Sequence, residues 1–276
     1  MTDEIRAPHR PVSPPRRRTH SLAERRWFSF IVEFVLIVAG ILIALYIDGW
    51  MQDRRDREAE TTYLRLLADD LSLIESEVAQ YIEFENSVLA TGKAFLEAIS
   101  EDNRPADHRP LNGMLAEMSI RRTLSVVSAA YADLTSAGKI QLIRDPELRR
   151  QIVRYFANVE RRELIVEKNS KQYVDEIFVR FLMDAGVTLN PDQSVLLPVT
   201  GASAVIDDVL GPDFAWPRDV ILERPRGSAS WDDFRRQVLY RMRIAAGGRT
   251  VGERLIEITQ QLRADIEDEL SRRDTT

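Results

Sequence analysis

The chain has 276 residues, 44% hydrophobic and 30% charged, with 12 Gly, 12 Pro and no Cys. This excludes collagen-like, low-complexity and wholly disordered classes, together with disulfide scaffolds, thiolate metal sites and Cys nucleophiles. A net charge of −6 argues against broad nucleic-acid binding, and the three histidines, His9, His20 and His108, all lie in polar or Pro/Arg-rich stretches unsuited to His-based catalysis.

Residues 1–26 contain Pro8, Pro11, Pro14 and Pro15 and almost nothing apolar, which predicts a disordered basic tail. Arg16, Arg17 and Arg18 read first as a topology signal ahead of a membrane helix, and second as an acidic-lipid or nucleic-acid contact. Residues 27–50 form the membrane candidate. From Phe28 to Ile47 the run is apolar apart from Ser29 and Glu33. At ~1.5 Å per residue its length matches one bilayer core of about 30 Å. Trp27 and Trp50 bracket it, with Tyr46 near the second edge, as interfacial anchors do. The run is too long for a cleaved signal peptide and lacks a small-residue cleavage site. More arginines precede the span than follow it, so the expected orientation puts the N-terminus in the cytoplasm and residues 51–272 outside it.

After the span, apolar residues at Leu64, Leu67, Leu71, Ile74, Val78, Tyr81, Val88, Phe95 and Ile99 alternate in steps of three and four, broken only at Glu85 and Gly92. This predicts a long amphipathic helix over about 51–100 with a coiled-coil-like seam, continuous with the membrane helix through a charged neck. A polar loop with two prolines follows, then a second helix over about 111–136 ending at Gly138 as a left-handed cap. Residues 139–144 read as short and extended. Asp145, Pro146 and Glu147 open a third helix over about 146–185, with Leu148, Ile152, Tyr155, Val159, Val166, Tyr173, Ile177 and Phe181 as its apolar positions. The stretch 186–229 is punctuated by Pro and Gly and reads as an irregular insertion with one short helix around 202–210, either functional or packed across the bundle. A last helix spans about 230–270, with a kink expected at Gly247-Gly248. The expected fold is all-α: one N-terminal transmembrane helix continuing into an extended antiparallel helical bundle of four-helix type.

Two segments carry a resemblance. In VEFVLIVAGILIALYIDGWMQDRRDREAE (Val32–Glu60) an acid opens an apolar run, followed by Gly-Ile-Leu-Ile-Ala-Leu, a Trp and a charged neck. In AYADLTSAGKIQLIRDPELRRQIVRYF (Ala130–Phe156) a helix ends in Ser-x-Gly-Lys and a new one opens with Glu-Leu-Arg. Both resemble the hallmarks of a family of uncharacterised bacterial single-span inner-membrane proteins, a domain of unknown function. The resemblance implies a bacterial inner-membrane protein with a periplasmic domain and carries no catalytic residue.

Glu33 is the most informative residue of the span. An acid costs about 2.5–3.5 kcal/mol at a bilayer centre and less toward an interface. It reads as interfacial, as a helix–helix contact, or as a proton carrier. Gly40 and Ala44 lie within about 20° of Glu33 on the helix, giving a small, polar face suited to a second copy of the chain or a membrane-protein partner. The acidic pairs Asp69-Asp70, Asp207-Asp208 and Asp232-Asp233 read as solvated faces or caps. Tyr155, Phe156, Tyr173, Phe178 and Phe181 read as core, and Trp216 as a lid or partner contact. No nucleotide-binding, EF-hand or nucleophile motif is found, so no catalytic residue, cofactor or metal is expected. The expectation is a non-enzymatic, membrane-anchored interaction or sensor-like module. The alternatives are an accessory subunit of an ion-driven or channel-type complex using Glu33 and, less favoured, an enzyme.

Overall fold

The computed structural model describes residues 21–100, 109–188, 208–211, 219–223 and 229–274. The described chain is helical with no strand. It divides into two units, Met1–Glu58 and Ala59–Thr276. The long first helix, α1 (Ser21–Ala98), contributes to both without a break in its backbone assignment.

In the first unit the side chains described along the apolar run of α1 are exposed, apart from the half-buried Ala39. Its best window has a mean hydropathy of 2.8 and is 0% buried. Among the described residues one helix is therefore long and apolar enough to span a membrane.

The second unit opens with the seam of α1. All nine of the seam positions from Leu64 to Ile99 are buried. They divide between two apolar cores. The first gathers Leu64–Tyr81 of α1 with Leu134, Ile152 and Tyr155, and with Leu255, Leu262 and Ile266 of the last helix, α6 (Ala229–Asp274). The second gathers Val88, Phe95 and Ile99 with Leu111, Leu115, Phe178, Trp231 and Phe234. The seam's first break, Glu85, falls between them.

The single helix expected over 111–136 is two helices, α2 (Arg109–Ser119) and α3 (Ala129–Ser136), separated by a non-helical segment. Thr123, Val126 and Val127 are β-branched and favour extended backbone. The backbone groups that a helix would pair find partners elsewhere: Arg241 takes the Met118 and Ile120 carbonyls, and Glu163 accepts from the Val126 N–H. Ser128 then caps α3, its Oγ accepting from Tyr131 N at 3.1 Å and donating to Asp70 at 2.7 Å. Gly138 is left-handed, with φ 66°, as its position after α3 requires. Lys139–Leu142 is a 3-10 turn rather than extended. Asp145 caps α4 (Pro146–Asn169), accepting from Glu147 N and Leu148 N.

The third long helix changes pitch. After α4 comes a π-helical segment, Ser170–Val179, and then α5 (Arg180–Asp184). A π turn takes more residues than an α turn. The buried stripe accordingly runs Val166, Ser170, Val174, Phe178, Leu182, at steps of four. Tyr173 and Phe181 are only half-buried and Ile177 is exposed, so the apolar positions expected beyond Val166 are displaced by one residue. Phe181 still packs edge-on against Phe234, at 5.0 Å between ring centroids.

The described ends of the 186–229 stretch pack on the bundle. Val187 and Leu222 enter the second core. Asp219 accepts from Thr188 N at 2.8 Å and from the side chain of Asn112. The short helix expected around 202–210 lies mostly outside the described residues.

Candidate functional site

Trp27, Glu33, Gly40, Ala44, Tyr46 and Trp50 all stand exposed on α1 in the first unit. Gly40 has open space where a Cβ would sit. Trp216, His108 and Asp207 lie outside the described residues. Asp70 serves α3, accepting from Ser128 Oγ and from Ala130 N at 3.0 Å. Asp232 and Asp233 pair with Arg235 and Arg236 on their own helix. Tyr155 is buried in the first core with its hydroxyl 2.8 Å from Thr259 Oγ1, and burial pushes its pKa up to about 12. Among the described residues no group of three or more His, Cys, Asp or Glu is placed to hold a metal.

The most unusual chemistry is at a position singled out only as an interruption. Glu85 takes a seam position because the heptad step from Tyr81 continues through it, and so its carboxylate is carried into the interior. Arg241 of α6 meets it there. Nη1 of Arg241 stands 3.6 Å from Glu85 Oε2, with the two side chains 1% and 5% exposed. That separation is just beyond hydrogen-bond reach, and these two atoms have no other hydrogen-bond partner. The remaining guanidinium donors are used: Nε donates to Met118 O at 2.9 Å and Nη2 to Ile120 O at 3.1 Å. Arg241 thereby holds the irregular backbone after α2 and faces Glu85 at once.

Tyr81 lies one turn before Glu85, and its hydroxyl and Glu85 Oε1 both face Gly248. Burial raises the pKa of Glu85 even though Arg241 and the Tyr81 hydroxyl both oppose the shift. Burial likewise raises Tyr81, reinforced by Glu85, and lowers Arg241 against the pull of Glu85. The layer is thus under-compensated, since desolvation outweighs the pairing.

A cavity of about 150 Å³ opens beside this layer. Tyr81 and Glu85 form one wall, Asn169 and Ser170 at the start of the π segment another, and Gly247 and Gly248 of α6 a third. Ile165, Val166, Ile244 and Val251 supply the apolar lining. The Gly247-Gly248 pair does not break α6, which runs through it. Gly248 is needed for approach: a Cβ there would meet the Tyr81 hydroxyl and sit 3.2 Å from Glu85 Oε1. Gly252, one turn on, fits against Ile82, whose Cγ1 would lie 2.7 Å from an added Cβ. Two glycines four apart therefore let α6 lie close on α1 at the level of the cavity.

A second buried acid, Glu60, is hydrogen-bonded through one oxygen only, its Oε2 having Arg144 Nε at 3.8 Å and no hydrogen bond. Its Oε1 accepts from Arg144 N at 2.6 Å and from Arg273 Nη2 at 2.7 Å, tying the first turns of the second unit to the end of α6. Sequence reasoning did not single out Glu60 or Arg241. The legible signals were the seam break at Glu85 and the Gly248-x-x-x-Gly252 spacing.

No family model, curated protein or solved structure matches the chain.

Proposed function

We propose that the protein is a single-span inner-membrane protein of bacterial type whose extracytoplasmic helical unit acts as an interaction or sensor-like module and not as an enzyme. The observation that carries this reading is α1. Its apolar run is uncovered, and the same helix supplies the seam of the second unit's two cores. An uncovered apolar surface of that length is unfavourable in water and favourable in a bilayer. The arginine-rich stretch before the span supports a cytoplasmic N-terminus. The face bearing Glu33, Gly40 and Ala44 supports association through the membrane, with a second copy or a membrane-protein partner.

Two measurements test this. A periplasm-dependent reporter fused after Thr276 is expected to be active and a cytoplasm-dependent one silent; the reverse pattern refutes the orientation. For association, crosslinking of the full chain in native membranes is compared for Glu33→Gln, Glu33→Leu and Gly40→Ile. Intramembrane polar contacts are worth about 0.6–2 kcal/mol. Leu and Ile are therefore expected to weaken the crosslinked species roughly three- to thirtyfold, while Gln largely preserves it. Crosslinking that none of the three alters removes the α1 face from the proposal.

A further inference from the structure

The layer between the two cores contains an acid that its surroundings do not satisfy. Glu85 Oε2 is buried and without a hydrogen bond, the nearest guanidinium nitrogen is 3.6 Å away, and the other oxygen, Oε1, lies on the Gly248 side, where Glu85 lines an open cavity. We propose that this cavity is a binding site for a small primary alkylammonium ion, with the ammonium on the Glu85 carboxylate and the hydrocarbon body against Ile165, Val166, Ile244 and Val251.

Three features select this chemistry. Among the described residues Glu85 is the only charged group that lines the cavity; Arg241 stands behind it, two of its nitrogens committed to backbone carbonyls. An anion would meet the carboxylate directly, without a cationic group on the lining to receive it. The neutral polar groups, the Tyr81 and Ser170 hydroxyls and the Asn169 carboxamide, all offer acceptor oxygens to the remaining ammonium hydrogens. A charge-assisted N–H···O bond to Glu85 Oε1, the oxygen on the Gly248 side of the cavity, then adds to the countercharge that the long Arg241 pair supplies at Oε2. The volume sets the size of the body. A void of about 150 Å³ holds a six-carbon ring, so a chain of about four or five carbons fits. The site lies wholly within the second unit, and its occupancy does not depend on the anchoring proposed above.

The test uses the full chain in detergent micelles, titrated calorimetrically with n-butylammonium, n-butanol and butyrate, each corrected against protein-free micelles. Butylammonium is expected to bind saturably, about tenfold or more tighter than butanol, with no saturable heat from butyrate. Glu85→Gln keeps the shape of the side chain and removes its charge, so it should lower butylammonium affinity to that of butanol. Gly247 is exposed at the cavity rim and its Cβ direction is open, so Gly247→Leu is expected to keep the thermal transition and abolish binding of butylammonium and butanol. This second variant decides the matter should Glu85→Gln not fold. Butyrate binding as tightly as butylammonium, unchanged butylammonium affinity in either variant, or no saturable binding to the wild-type chain would overturn the proposal.

Discussion

Glu85 and Arg241 show how one interior pair sets both local structure and pH response. Removing one partner of a buried pair leaves the other charge uncompensated, at a cost of about 3–5 kcal/mol. Arg241→Met is expected to cost that much in urea unfolding, because the Met118 and Ile120 carbonyls lose their donors as well. Adding Glu85→Gln should recover part of the loss, since no unpaired charge then remains; a double variant as damaged as the sum of the singles would contradict the pairing. The pH dependence has a definite sign. Burial raises the Glu85 pKa, so the folded chain holds that proton more tightly than the unfolded one. Through the window just above the ordinary carboxyl value of 4.5, this group's contribution to stability falls as pH rises. The stability difference between wild type and Glu85→Gln should therefore shift against wild type across that window, measured by urea titrations at successive pH values.

At the level of elements, α1 and α6 approach through missing side chains. The Gly252 position has Ile82 against it at 2.7 Å from where a Cβ would stand, so Gly252→Ala must displace either a well-packed side chain or the helix. Overpacking of this kind costs about 1–3 kcal/mol and exceeds the helix-propensity gain of roughly 1 kcal/mol from replacing glycine. The substitution should destabilise the chain in wild type, and in an Ile82→Ala background it should be neutral or stabilising. A Gly252→Ala chain that is more stable in both backgrounds would place the two helices farther apart than 2.7 Å allows. α3 depends on a relay of another kind, with Asp70 holding Ser128 and Ser128 holding Tyr131 N. Here the seam face of α1 serves as a platform for a cap on another helix, which explains why Asp70 of the Asp69-Asp70 pair points inward.

For the whole molecule, the division into two units separates what water disfavours from what it tolerates. The first unit leaves its apolar side chains uncovered, whereas the second buries two apolar cores of its own. Deleting residues 1–50 removes the one bilayer-length run. The remainder is expected to stay in solution without detergent and to give a helical circular dichroism spectrum with a cooperative thermal transition. Aggregation with loss of that transition would show that the second unit's cores need α1's first half to form.

The sequence by itself determined the elements whose cause is local. The bilayer-length run, the seam of α1, the Asp145-Pro146 start of α4 and the Gly138 turn follow from periodicity, capping chemistry and backbone sterics, all set within a few residues of chain. Tertiary structure alone decided what depends on distant partners. The helix expected over 111–136 breaks because Arg241 and Glu163 from other elements take its backbone groups, which no window around Thr123 displays. The π segment shifts the stripe from Tyr173, Ile177 and Phe181 to Val174, Phe178 and Leu182, and pitch is not encoded in which residues are apolar. Glu85 was visible as a gap in a pattern, but only packing places Arg241, Ser170 and Gly248 around it. The reason is that a buried charge is tolerated or expelled according to what surrounds it, and those surroundings come from two other segments far along the chain.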